Sequence, residues 1–473
     1  VAIRSNRQGA AIVEKQADER VDHVVKQLHL GVFDNAQSND TGTALWRHPD
    51  NQRVHFDSLG YWTELAGICE EAKLDFLFLA DAWGWADVSG HRPDVCSFEG
   101  LELPRLDPAV VVATLVPQTT NLGLVITGAT LAEQPYPLAR RLASIDQLSG
   151  GRLGWNIVTA GSADTAAAAL GVAAVKHDER YDMADDFMEV VYKIWEGCWE
   201  PDALIKDKKG IYSDPAKIHR IEHDGPYYTS HGYGNTAATP QGTPVLFQAG
   251  SSPRGARFGA THGECIFVSG SSAKELSGYV SAVRTEAVTA GRDPYSLKVL
   301  AGVAMVIAPT HEEAERKHQE ILGYQTPEIT VASYAWFTGL DLSSYDPNTP
   351  MEDLHTELGQ TQIARFKGQT VGEVLKDWHE HGVRGNTVVG SPEEIADELC
   401  ALAEGADLDG FLINPLIQPG SVVDFVEHVL PILRRRGMFR EEYEEHTLRE
   451  RVLGQGNVRL RSDHPGARFR YWS

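Results

Sequence analysis

Leu153–Thr159 reads LGWNIVT, a near-continuous apolar run of the kind a strand shows when it is buried on both faces, as in a parallel sheet. Working outward, seven further runs have the same character: LHLGVF (Leu28–Phe33), FLFLA (Phe76–Ala80), LGLVIT (Leu122–Thr127), PVLFQ (Pro244–Gln248), CIFV (Cys265–Val268), LKVLAGVAMV (Leu297–Val306) and GFLIN (Gly410–Asn414). Stretches of helical period lie between them. Asp57–Ala72 and Asp178–Trp195 each open on an Asp and place apolar residues at i, i+3, i+4 spacing. Eight strands separated by helices predict a closed (β/α)8 TIM barrel rather than an open doubly wound sheet. The spacing is uneven, with about 85 residues after strand 4 and about 100 after strand 7, so insertions with their own structure are expected near 200–243 and 308–385. The first holds Lys206–Tyr228, which reads as a β-hairpin, and the second holds Ser333–Gln360, a Pro- and Asp-rich lid candidate. The expected organisation is an arm over 1–27, a barrel over 28–435 and a charged extension over 436–473, clasping the barrel's outside or a neighbouring subunit.

The chain has 473 residues, with 43 Lys plus Arg against 66 Asp plus Glu, a formal net charge of −23. That sign argues against nucleic acid and anionic membrane, which select basic patches. Hydrophobic residues at 42% and charged residues at 23% are globular proportions. Five scattered cysteines without a Cys-x-x-Cys, and no apolar run of 18, point to a reduced, cytoplasmic protein. The sequence lacks a His-Glu-x-x-His, a Gly-x-Ser-x-Gly and a strand-borne Gly-x-Gly-x-x-Gly, so no metal or resident dinucleotide is expected.

A barrel keeps its chemistry at the C-terminal ends of its strands. Asp81, Thr127, Asn156, Thr159 and Gln248 fall there. Asp81 could accept from a ring N–H or simply cap the next helix. Gly250-Ser251-Ser252-Pro253-Arg254-Gly255 runs from a strand into a helix, gathering backbone N–H groups, two hydroxyls and an Arg as a phosphate site would; an ordinary Ser-capped helix reads the same way. His177 and Tyr181, four apart on one helical face, could bond a phosphate or polyol, or merely begin a helix. Trp83 and Trp85 could wall an apolar pocket or pack in a core.

Several segments then become recognisable: LWRHPD (Leu45–Asp50), FLFLAD (Phe76–Asp81), QPYPLARRLASIDQLSGGRLGWNIVTA (Gln134–Ala160), HDERYDMADDFMEVVYKIWEGCW (His177–Trp199), PVLFQAGSSPRGARFGA (Pro244–Ala260) and DGFLINP (Asp409–Pro415). Together they resemble flavin-dependent monooxygenases of the bacterial luciferase superfamily, in the branch of the nitrilotriacetate, dibenzothiophene-sulfone and dimethyl-sulfide enzymes. The resemblance implies FMN, arriving as diffusible FMNH2 from a separate NAD(P)H:flavin reductase, with O2 and a small organic substrate. It implies flavin contacts at Asp81, Thr127, Asn156, His177, Tyr181, Gly250, Ser251 and Ser252. A proton-steering histidine is the usual type; here the candidates are His48 and His91. The family's Ser after the fourth strand is Ala160 in this chain. A pocket walled by Phe33, Trp83 and Trp85 suits a small apolar molecule, and an organosulfur compound ranks first. A halogenated aromatic, a deazaflavin-dependent dehydrogenase and a non-catalytic flavin-binding paralogue are the alternatives. Relatives favour homodimers or homotetramers.

Overall fold

Each apolar run becomes a strand of one sheet. The computed structural model describes residues 26–39, 44–87, 91–159, 163–250, 252–356, 363, 365–382 and 386–472. The strands are β1 (His29–Asn35), β2 (Phe76–Ala80), β3 (Gly123–Ala129), β4 (Leu153–Val158), β5 (Leu204–Asp207), β6 (Ile211–Ser213), β7 (Ile221–Asp224), β8 (Thr229–Gly232), β9 (Val245–Gln248), β10 (Cys265–Val268), β11 (Lys298–Ile307), β12 (Thr387–Gly390) and β13 (Gly410–Ile413). Eight of them close in the order β1-β2-β3-β4-β9-β10-β11-β13, every pair parallel. The result is a TIM barrel built from the eight runs read in the sequence.

Alternation along the strands sorts the core into two shells. Leu30, Val32, Leu77, Leu79, Leu124, Ile126, Trp155 and Ile157 face outward under the helices. Phe76, Phe78, Val125, Phe247, Phe267, Leu300 and Leu412 fill the interior. Phe76 and Phe247 meet edge to face at 5.1 Å, and Phe78 and Phe267 at 5.0 Å. Four aromatic rings fit because β1 and β4 recede where they point: a Cβ on Gly31 would lie 2.1 Å from the Phe76 ring, and one on Gly154 2.6 Å from that of Phe247.

The segment expected to clasp the outside does so at its end, where Arg468 and Arg470 bond Glu189 and Glu196 of the helix His177–Gly197, and also seals the floor. The helix Leu448–Leu453 buries Leu448 and Val452 against the interior phenylalanines. Between them Arg449, fully buried, donates to both oxygens of Glu264 at 2.8 and 2.9 Å and to the carbonyls of Gln241, Thr243 and Pro244. A barrel whose lower interior is lined with phenylalanine needs an apolar lid there, which explains why a charged tail carries Leu and Val at this spacing.

Between β4 and β9 the single hairpin expected is two antiparallel pairs, β5 with β6 and β7 with β8. The second pair is tied down by Asp186, whose carboxylate accepts from the N–H groups of Tyr227 and Tyr228 and from His223 Nε2 at 2.9 Å. Between β11 and β13 lies β12, which pairs with only the last four residues of β11. The lid candidate begins inside the helix Pro327–Thr338, and Tyr334, Met351, Phe366 and Trp378 give this region a small core of its own; its residues 357–360 lie outside the described ones. Among the described residues no helix is long and apolar enough to cross a membrane.

Candidate functional site

Thr127 and Asn156 are register partners on β3 and β4, both facing inward near the upper mouth. Asn156 Nδ2 donates to Thr127 Oγ1 at 3.0 Å, while Asn156 Oδ1 is buried with no partner. A buried amide oxygen left open costs free energy unless something else donates to it, so the pair presents an acceptor to a ligand above the phenylalanine layer. Phe33 continues that layer upward, stacked on Phe78 at 5.7 Å.

Asp81 follows β2 at the same mouth. Its Oδ1 accepts from the N–H of Ala82 at 2.9 Å and lies 3.5 Å from Arg105 Nη1. Burial raises its pKa to about 6; Arg105 and the Ala82 N–H oppose that shift, and Asp107 adds to it. Among the described residues the next helix starts at Asp94, so Asp81 does not cap one. In the loop that follows, Trp83 is half-exposed and Trp85 exchanges backbone hydrogen bonds with the Thr165 hydroxyl.

The second half of the site is assembled from segments far apart in sequence. The helix Pro253–His262 starts with Ser252, whose Oγ accepts from the N–H of Gly255 at 3.1 Å, and Pro at its first position. The helix His177–Gly197 brings His177 Nε2 to 3.3 Å from Ser252 Oγ, with His177 Nδ1 on Asp178 at 2.7 Å. Tyr181, one turn on, wedges its hydroxyl between strand-end loop and helix: Cβ atoms built on Gly250 or Gly255 would each lie 2.7 Å from it. Only glycine at both positions lets the two backbones approach. Burial pushes the Tyr181 phenol up, keeping it a neutral donor. Ser251 and Ala160 lie outside the described residues. Arg254 does not join this cradle. It stands over the Tyr181 ring and bonds Asp182 at 2.9 Å and Asp185 at 2.5 Å, which turns it away from the Ser252 hydroxyl.

The two candidate histidines make other contacts. His48 packs its ring on Tyr324 at 5.1 Å and accepts from the N–H of Asp50, and His91 is exposed. Among the described residues neither ring hydrogen-bonds Asp81, Thr127 or Asn156. Asp186, Glu189 and His223 converge as a metal set could, but Lys193 Nζ donates to His223 Nδ1 at 3.0 Å. That fixes the Nε2–H tautomer donating to Asp186, so Asp186 and His223 fasten the β7–β8 pair, while Glu189 accepts from Arg468 at 3.1 Å. Sequence reading missed Arg105, Glu102 and Gln37 beside Asp81. The run ELPR looks like an ordinary surface turn, and only tertiary contact reveals its role.

Residues 29–408 match the family model described as luciferase-like monooxygenase. A long-chain alkane monooxygenase of Geobacillus thermodenitrificans (strain NG80-2) is 38% identical over 94% of this chain and 99% of its own length. A dimethyl-sulfide monooxygenase of Hyphomicrobium sulfonivorans is 36% identical over 94% of each chain. Among solved structures, a riboflavin lyase crystallised with modified FMN and riboflavin superposes with a TM-score of 0.93 at 66% identity, covering 94% of this chain and all of the other.

Proposed function

Because this chain belongs to the luciferase-like monooxygenase family, we propose that it takes reduced FMN from a separate NAD(P)H:flavin reductase and uses O2 to cleave riboflavin: one oxygen atom enters the ribityl carbon bonded to the ring nitrogen, the other leaves as water with the two electrons of the reduced flavin, and the resulting carbinolamine parts into the free ring N–H and an aldehyde sugar. The supporting observation is the full-length likeness, at 66% identity, to a riboflavin lyase, against 36–38% for the sulfide and alkane enzymes. The reductase is inferred from the family likeness, with which the lack of a strand-borne dinucleotide fingerprint in the sequence agrees.

The residues present fit a flavin. Ser252, Ser251, Gly250, His177 and the N-terminus of Pro253–His262 would hold the phosphate, with Tyr181 supporting the loop from beneath. Asp81, Thr127 and the open Asn156 Oδ1 would meet the polar edge of the ring. When bound, the reduced flavin supplies the electrons that activate O2. The chain's own part is to orient the ring, exclude water and offer an apolar wall at Phe33, Trp83 and Trp85. The phosphate cradle also gives a reason why one flavin serves as cofactor while another is consumed. FMN carries the group that Ser252 and His177 are placed to recognise; riboflavin lacks it. Of the two histidines proposed for proton transfer, His48 is the half-buried one, and His48→Gln tests it.

The test is a panel of riboflavin, dimethyl sulfide, dibenzothiophene sulfone, a long alkane and a chlorinated aromatic, each with reductase, NADH and FMN, in air and anaerobically. Riboflavin loss that requires O2 and yields a ring product without its side chain supports the reading. Conversion of a sulfide or sulfone with riboflavin untouched selects the second reading, an organosulfur monooxygenase, which the dimethyl-sulfide relative favours. Turnover without O2 would select a dehydrogenase.

A further inference from the structure

The loop between β2 and β3 carries a charged assembly that the barrel itself does not require. Glu102 is buried and holds a left-handed backbone, φ 64°, rare for a residue with a side chain. Such a conformation persists where the surroundings demand that side chain in that place. Its carboxylate grips Arg105, whose Nε also donates to the Glu102 carbonyl at 3.1 Å. Arg105 Nη2 donates further to Gln37 Oε1 at 3.0 Å, and the Gln37 and Arg105 backbones pair as an isolated antiparallel bridge. The remaining nitrogen, Nη1, faces Asp81 Oδ1 at 3.5 Å, and the Arg105 side chain is 12% exposed.

We propose that Arg105 is a positioning residue for the flavin site: clamped by Glu102 and Gln37, its guanidinium holds the Asp81 carboxylate ionised at the barrel mouth, ready to accept from a ring N–H. This rests on the reading of Asp81 as a contact of the flavin ring. Among the described residues, the charged groups acting most strongly on Asp81 are Arg105 and Asp107. Arg105 favours its ionised form, as does the Ala82 N–H, while Asp107 opposes it; Glu102 acts through Arg105. The Asp107 carboxylate is itself engaged, capping the next helix at the N–H of Ala109, 2.8 Å away. Burial lifts Asp81 and Arg105 pulls it back, and the balance, about 6, leaves the group mostly charged at neutral pH.

The experiment measures FMN affinity of the intact protein by calorimetry from pH 5 to 8. The FMN phosphate titrates in the same range but is common to every variant, so differences from the parent report Asp81. In the parent, affinity falls as pH drops through about 6. Arg105→Met should move that midpoint up by about one unit, and R105K should return it most of the way. Because R105M leaves Glu102 buried without its partner, the double variant R105M/E102Q is measured beside it, and the same upward shift is expected. An unmoved midpoint in the folded double variant overturns the role of Arg105. Asp81→Asn should abolish the carboxylate part of the profile. If D81N keeps the parent profile, the placement of Asp81 against the ring falls, a result distinct from an unmoved midpoint in the Arg105 variants.

Discussion

Gly255→Ala tests the phosphate cradle at its tightest point. On an exposed helix this change stabilises by about 1 kcal/mol, since alanine gives up less backbone freedom. Here the new Cβ would lie 2.7 Å from the Tyr181 hydroxyl, 3.0 Å from Gly250 Cα and 3.1 Å from the Gly250 carbonyl carbon. Ordinary contact begins near 3.4 Å, so the hydroxyl must retreat by roughly 0.7 Å and the Gly250 backbone by roughly 0.4 Å. Overpacking of that size costs about 1–3 kcal/mol, which cancels or outweighs the helical gain. The loop that yields is the one carrying Ser251 and Ser252, so the expected loss in FMN affinity is about 1–2 kcal/mol, or roughly 5- to 30-fold. FMN titration by fluorescence, with thermal unfolding alongside, reads both quantities. Adding Tyr181→Phe removes the hydroxyl contact while leaving the backbone one, and should restore affinity in part. A G255A protein that binds FMN within twofold of the parent and unfolds at a higher temperature would refute the close-approach argument.

Ser252→Ala removes the cap on Gly255 and one hydroxyl of the cradle; helix stability should fall by about 1 kcal/mol, and FMN binding should weaken severalfold while riboflavin binding, which has no phosphate to lose, is unchanged. Arg449→Met should cost about 3–5 kcal/mol in urea unfolding, because Glu264 is left buried and charged; Glu264→Gln in the same background should recover part of it. The buried His464 accepts from the N–H of Gly466 at Nδ1 and donates from Nε2 to the His262 carbonyl, and burial pushes its pKa well below 6.5. The unfolded chain takes up that proton and the native one does not, so stability should decline as pH falls below 6.5, and His464→Asn should flatten the decline. Equal pH slopes in parent and variant would count against it.

The barrel was legible because its strands are buried on both faces, and continuous Val, Ile, Leu and Phe leave few other readings. β12 escaped notice for the opposite reason: Thr387–Val389 are only partly covered and the strand pairs with only the end of one neighbour, so burial leaves a weaker mark on their sequence. The cradle was half legible. A Ser-Pro helix start declares itself locally, and His177 stood out by its spacing from Tyr181, but Arg254 was misjudged because Asp182 and Asp185, which hold it, lie about 70 residues earlier and meet it only in the folded state. Glu102 and Arg105 carried no local signal. Their meaning depends on Asp81, across a loop whose path the sequence does not dictate.

The sealed floor has a consequence for the order of events during synthesis. β1 finds its second neighbour only when β13 has been made, and Phe76 and Phe247 acquire their cover only when Leu448 and Val452 arrive. Until then a nascent chain leaves the underside of that aromatic layer uncovered, the sort of surface that holding chaperones and proteases sample. A chain stopped before Leu448 would contain every residue of the candidate site and still be read by the cell as unfinished.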